Sequence, residues 1–158
     1  KAHDARQSIC REEFVKMVVL AFFKADDTAA ADFSDTKSGD WHYRYIATAV
    51  KLGIINGIGG GCFGTGMKIS REDMAVMTLR AAHAAGLILH KNAEPITFGD
   101  EEQIADYAKE AVSQMSAAQI INGKNGGIFA PLDTATRAEA AKVIYELIQN
   151  TGGEGNRL

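Results

Sequence analysis

Phe33-Ser34-Asp35, Trp41, Gly53-Ile54-Ile55-Asn56-Gly57, Phe63 and Ile69-Ser70-Arg71-Glu72-Asp73 recur, in the same order, as Phe98-Gly99-Asp100, Tyr107, Gln119-Ile120-Ile121-Asn122-Gly123, Phe129 and Ala135-Thr136-Arg137-Ala138-Glu139. The closing part alone appears once more near the start, as Ile9-Cys10-Arg11-Glu12-Glu13-Phe14. A period of this length marks a repeat architecture, in which each unit buries a face against its neighbours. The chain therefore reads as two full units and the second half of another.

Each unit has the pattern of two helices joined by a glycine-rich loop. From Trp41, the residues Tyr45, Ile46, Ala49, Val50, Leu52 and Ile54 follow helical spacing, and Asn56-Gly57 offers left-handed backbone to end the helix. The matching helix is expected from about Ile104 to Ala118, ahead of Asn122-Gly123. Ser70 and Thr136 each precede a carboxylate by three residues, the spacing of a capping box. Apolar stripes follow both caps, and the stretch from Phe14 to Phe22 is apolar nearly all round, which calls for a central helix. The expected fold is all-α: tandem helix-loop-helix repeats arranged around a central three-helix bundle. Residues 1–150 form one domain, divided into a partial repeat (1–32), a second repeat (33–97) and a third (98–150), with 151–158 as a flexible tail. The four phenylalanines of the repeats, Phe33, Phe63, Phe98 and Phe129, are expected in the core.

Composition narrows the function. A net charge of -3 over 158 residues gives no basic footprint for nucleic acid. No apolar run approaches the roughly 20 residues that span a bilayer. Cys10 and Cys62 have no CxxC spacing, leaving two partly buried thiols or a disulfide that requires their Cα atoms to come within about 7 Å. Gly59 to Gly64 matches a dinucleotide fingerprint formally, but it follows a helix and lacks the strand context that chemistry requires. Residues 35–40 lack the ligand alternation of a calcium loop, and His3, His42, His83 and His90 have no metal spacing. Neither a metal nor another cofactor is expected.

On these motifs the chain resembles the S-layer homology family, whose repeats carry Phe-x-Asp, a following Trp, a Gly-Ile-Ile-x-Gly turn and Thr-Arg-Ala-Glu before an apolar helix. Thr136-Arg137-Ala138-Glu139 matches the last signature outright, and the resemblance runs from about residue 9 to 148. It implies a prism with pseudo-threefold symmetry around the central three-helix bundle, and a non-catalytic extracellular module of the cell wall or S-layer. Such a module is part of a longer surface protein and binds secondary cell wall polysaccharide, typically through pyruvylated N-acetylmannosamine. Carried over by position, Arg11, Arg71 and Arg137 become partners of the ketal carboxylate. A guanidinium in the first turn of a helix suits that task, because it offers a planar fork beside free backbone N–H groups. Trp41 becomes a platform for a sugar ring, Asn56-Gly57 and Asn122-Gly123 bring backbone close to the ligand, and Asp35 and Asp100 accept sugar hydroxyls.

The chain departs from the pattern at Tyr107, at Thr65-Gly66 where Ala130-Pro131 keeps the usual proline, and at Cys10 in place of a capping hydroxyl. These departures make the Trp41 side the favoured site, and the first unit's missing outer helix suggests a fragment with one incomplete groove. Other roles compete for the same residues. The arginines can pair with Glu13, Asp73 and Glu139, Trp41 can pack in the core, and Asp35 and Asp100 can cap the outer helices. Two further functions remain to be weighed: a protein-protein scaffold, and a glycosidase built on the adjacent acids Glu12-Glu13 and Glu72-Asp73.

Overall fold

A computed structural model describes residues 4–152. Among them the helices are α1 (Arg11–Phe22), α2 (Tyr43–Lys51), α3 (Arg71–Ala84), α4 (Lys109–Ala117) and α5 (Arg137–Asn150), with 3-10 turns at Glu101–Gln103 and Asp106–Ala108. The described chain is all-α. Helices α1, α3 and α5 pack against one another, and each follows one of the three repeated caps. Helix α2 lies on α1, and α4 lies on α3. Each outer helix thus packs on the core helix that precedes it in the chain.

The residues before the three core helices hydrogen-bond in a closed cycle. The Ile9 N–H donates to the Ala135 carbonyl, Ala135 to Ile69, and Ile69 back to Ile9, each at 3.0 Å. At the first residue of each helix a second cycle runs the opposite way round: the Arg11 N–H donates to the Met67 carbonyl, Arg71 to Asp133, and Arg137 to Gln7. These bonds satisfy N-terminal amides that a helix leaves without internal partners. The remaining first-turn amides use the expected caps: Glu139 N–H donates to Thr136 Oγ1 at 3.1 Å, and Asp73 N–H to Ser70 Oγ at 3.2 Å. At Cys10 the reciprocal arm is present, Glu13 accepting from the Cys10 N–H at 2.9 Å.

Beneath this ring the core is continuous. Phe14, Phe63, Phe129, Ile69, Met74, Met115 and Leu147 are fully enclosed, and α1 is central as its composition requires. Phe98 is buried and Phe33 half-buried against the core. Cys10 and Cys62 are free, partly buried thiols. Thr151 is also buried, its hydroxyl donating to the Leu147 carbonyl at 2.8 Å, so the described start of the expected tail continues α5. The rest of that tail lies outside the described residues.

Two expected boundaries move. The first outer helix stops at Gly53, with φ of 77°, three residues before the Asn-Gly pair expected to end it, whereas the second ends at Ala117, next to the expected end at Ala118, with Gln119 following at φ of 59°. Ile54 N–H then closes onto the Ala49 carbonyl and Ile120 N–H onto that of Met115, the bond pattern of a left-handed helix terminus. The second outer helix begins at Lys109, not Ile104, because the Ala105 N–H donates to Glu72 Oε1 at 3.0 Å, holding Ala105 extended.

Candidate functional site

The three arginine side chains run round the bundle in the same sense as their own backbone amides, opposite to the Ile9, Ala135 and Ile69 ring. Arg11 Nη1 donates to Asp73 at 2.7 Å, Arg71 Nη1 to Glu139 at 2.8 Å, and Arg137 Nη2 to Glu13 at 2.6 Å. Each guanidinium at the first position of one core helix therefore grips the acid at the third position of the next. Arg11 and Arg71 are only 4% exposed. Their Nε atoms donate to the carbonyls of Phe63 and Phe129, and their guanidinium carbons stand 5.2 and 4.9 Å from the same rings. Arg71 adds a 2.6 Å bond from Nη2 to the Asn122 carbonyl. Arg137 is looser, and its buried Nε has no acceptor among the described residues. The pairing alternative is thus realised, and it places two of the arginines in the walls of grooves.

The first groove holds about 340 Å³ and is lined by Arg11, Ile54 to Ile58, Asp73, Val76, Met77, Arg80 and Tyr107. The second, about 170 Å³, is lined by Arg71, Met74, Ile120 to Lys124, Glu139, Lys142 and Val143. Nearly every lining position of one has its repeat counterpart in the other. Arg11 meets Asn56-Gly57 in the first, and Arg71 meets Asn122-Gly123 in the second, as the repeat spacing implies. The glycines serve the interior: a Cβ on Gly57 would lie 2.6 Å from the Cys62 carbonyl and 2.8 Å from the Phe33 ring, and one on Gly123 would lie 2.5 Å from the Phe98 ring. The backbone can reach the groove here because a phenylalanine fits flat beneath it.

Asp35 and Asp100 line neither groove and do not cap the outer helices. Asp35 accepts the N–H groups of Phe63, Gly64 and Thr65 at 2.8 to 3.0 Å, and Asp100 those of Phe129 and Ala130 at 2.8 Å. Burial opposes ionisation of both carboxyls, but these amides outweigh it and hold both below the ordinary value of 3.8. In the Gly59 to Gly64 loop, the Phe63 and Gly64 amides are therefore occupied by the protein's own carboxylate. Glu12 and Glu72 likewise accept backbone amides, of Gly66 and Ala105, while Glu13 and Asp73 hold arginines. Each of the four adjacent acids is therefore bound within the fold.

Trp41 also lines neither groove. It is 54% exposed on the far side of α1, with the Lys16 ammonium 5.3 Å above its ring. Its counterpart Tyr107 occupies the first groove instead, 61% exposed, its hydroxyl donating to Asp73 Oδ1 at 2.6 Å. Burial and the Asp73 carboxylate push the Tyr107 phenol upward, so it remains a neutral donor. Asp73 is free to accept because its side chain is too short to return to its own cap, as Glu139 does with the Thr136 N–H. Sequence reasoning missed Arg80 and Lys142 as groove residues. The available signal was the helical spacing Asp73, Val76, Met77, Arg80, which puts all four on one face of α3.

Among the described residues no His, Cys, Asp and Glu cluster suits a metal ion, and no helix is long and apolar enough to cross a membrane. The S-layer homology domain family matches residues 32–75 and 97–141, more than half of the chain. Over 150 residues the chain is 35% identical to an amylopullulanase of Thermoanaerobacterium thermosulfurigenes, covering 95% of this chain and 8% of that protein. It is 34% identical to exoglucanase XynX of Acetivibrio thermocellus, covering 94% of this chain and 14% of the enzyme. To an S-layer protein of Bacillus thuringiensis subsp. finitimus it is 30% identical, covering 90% and 17%. The chain spans a small part of each relative, enzymes and S-layer proteins alike, so what they share with it is a surface module. The chain belongs to the S-layer homology domain family, whose members anchor the proteins that carry them to the cell wall or S-layer.

Proposed function

We propose that this module is non-catalytic and holds a secondary cell wall polysaccharide noncovalently in the two grooves at Asn56-Gly57 and Asn122-Gly123, with a pyruvylated amino sugar as the recognised residue. The observation that carries this reading is the duplication of the groove itself. Equivalent positions build it twice, and each copy sets exposed backbone from a glycine turn beside a motif guanidinium. A polymer with a repeated anionic residue matches a protein with repeated sites. Modest affinity in each groove then becomes tight attachment when two engage one chain.

In this reading Arg11 and Arg71 shape the grooves and neutralise the acids in their walls, while their inner nitrogens stay committed to the fold. Arg137, Trp41, Asp35 and Asp100 lie outside the two sites. The enclosing protein is a longer surface protein of which this is the wall-binding part. Cosedimentation with purified sacculi is the test, before and after hydrofluoric acid strips the wall polymer. Binding to intact sacculi and its loss after stripping are the expected results. Equal binding to stripped sacculi would remove the polymer as ligand, and binding only to extracted wall proteins would favour a protein-protein scaffold.

A further inference from the structure

We propose that Arg80 makes the ionic contact with the anionic sugar in the first groove and Lys142 in the second, so that the sugar's charge is held about one helical turn further along the core helix in the first groove than in the second. The inference rests on the polysaccharide reading of the grooves and assigns the charged contacts within it.

Charge compensation around each groove carries the argument. In the first, Asp73 is the one acid among the described lining residues, and it is neutralised by Arg11 at 2.7 Å while Tyr107 takes its other oxygen. Arg80 lines the same groove, half-buried, and makes no ion pair among the described residues. One positive charge is left over. In the second groove Arg71 neutralises Glu139, and Lys124 is taken by Asp133 at 2.8 Å. Lys142 is exposed at the groove and has no ion pair among the described residues. Again one positive charge is left over, on a different residue.

Arg71 already spends Nε, Nη1 and Nη2 within the fold, so an incoming carboxylate would have to displace an existing bond to use its fork. A ligand anion gains more from a cation that gives up only water. The two free cations occupy different places on equivalent helices. Arg80 stands nine residues after Arg71, and Lys142 five after Arg137. Four residues of α-helix correspond to about 6 Å. Their counterparts exchange character too, Val76 standing where Lys142 does and Glu146 where Arg80 does. The same anionic sugar therefore sits further from the Asn-Gly turn's helix start in the first groove, and meets a planar fork there in place of a point charge.

The test is a titration of the intact module with the methyl glycoside of pyruvylated N-acetylmannosamine, following the backbone amides of Gly57 and Gly123 by NMR, with the unpyruvylated glycoside as control. In the unaltered protein both amides respond to the pyruvylated sugar. Arg80→Gln is expected to raise the Gly57 midpoint by about tenfold or more and leave that of Gly123 in place, and Lys142→Gln to do the reverse. Arg80→Lys, which keeps the charge, is expected to fall between. A Gly57 midpoint in Arg80→Gln within about twofold of the unaltered protein would overturn the role of Arg80 while the grooves remain binding sites. If neither amide responds in the unaltered protein, the polysaccharide reading fails, and the roles of Arg80 and Lys142 with it.

Discussion

The groove at Asn56-Gly57 and the groove at Asn122-Gly123 share a frame and differ in their chemistry. In both, a phenylalanine supports the glycine turn, an aspartate binds the following loop, and an arginine from the preceding cap reaches across to the next helix. The differences lie on the exposed face of the core helix, where Val76 and Arg80 stand opposite Lys142 and Glu146, and in the wall supplied by Tyr107. On α1 the same face carries Lys16 and Leu20 beside Trp41. Residues that fix the frame are tied by several bonds and tolerate little change, whereas residues on the groove face touch few neighbours and are free to set what is bound.

Removing a frame residue should do the most damage. Arg71→Ala strips the partner from Glu139, the Phe129 carbonyl and the Asn122 carbonyl, and a loss of about 3–5 kcal/mol is expected by urea denaturation. Arg137→Ala, whose described bond is a single half-exposed pair with Glu13, should lose no more than about 1 kcal/mol. Equal losses would break the distinction between tight and loose members of the ring. Next in size, Gly57→Ala and Gly123→Ala each force a methyl against a phenylalanine ring, at a cost of about 1–3 kcal/mol. Gly57 should suffer more, since its φ of 92° also disfavours any side chain.

Acid should reveal the loop carboxylates. Asp35 and Asp100 are depressed in the folded state, so the unfolded chain binds more protons at low pH. Their stabilisation is complete above the ordinary aspartate value of 3.8 and is lost as pH falls below it through the folded values. Asp35→Asn should therefore flatten the acid limb of a stability-pH profile, and an unchanged limb would contradict the amide contacts. The smallest effect belongs to the groove wall. Tyr107→Phe removes one hydrogen bond to Asp73 and should cost about 0.5–1.5 kcal/mol, leaving the Gly123 groove unaffected in saccharide titration.

Much of this frame is legible in the sequence, because caps and apolar stripes are local signals. Ser70 and Thr136 announce helices that begin where expected, and the apolar stretch after Arg11 marks a central helix. What escaped is non-local. The sequence offers Glu13, Asp73 and Glu139 as arginine partners but not which arginine takes which, since Arg11 meets Asp73 across 62 residues and Arg137 meets Glu13 across 124. Asp35 reaches a loop some 28 residues away, which removed it from the expected site. The departure of α4 from its expected start has the same origin, since Glu72 of another element captures the Ala105 amide. For Trp41 the sequence could not show that the ring is exposed or that Lys16 of α1 stands over it.

A crystal structure of the module with a pyruvylated N-acetylmannosamine disaccharide tests the central claim most directly. Sugar density over Gly57 and Gly123, with the ketal carboxylates near Arg80 and Lys142, is the expected result. Sugar seated on Trp41 and Lys16, with both Asn-Gly grooves empty, would contradict it.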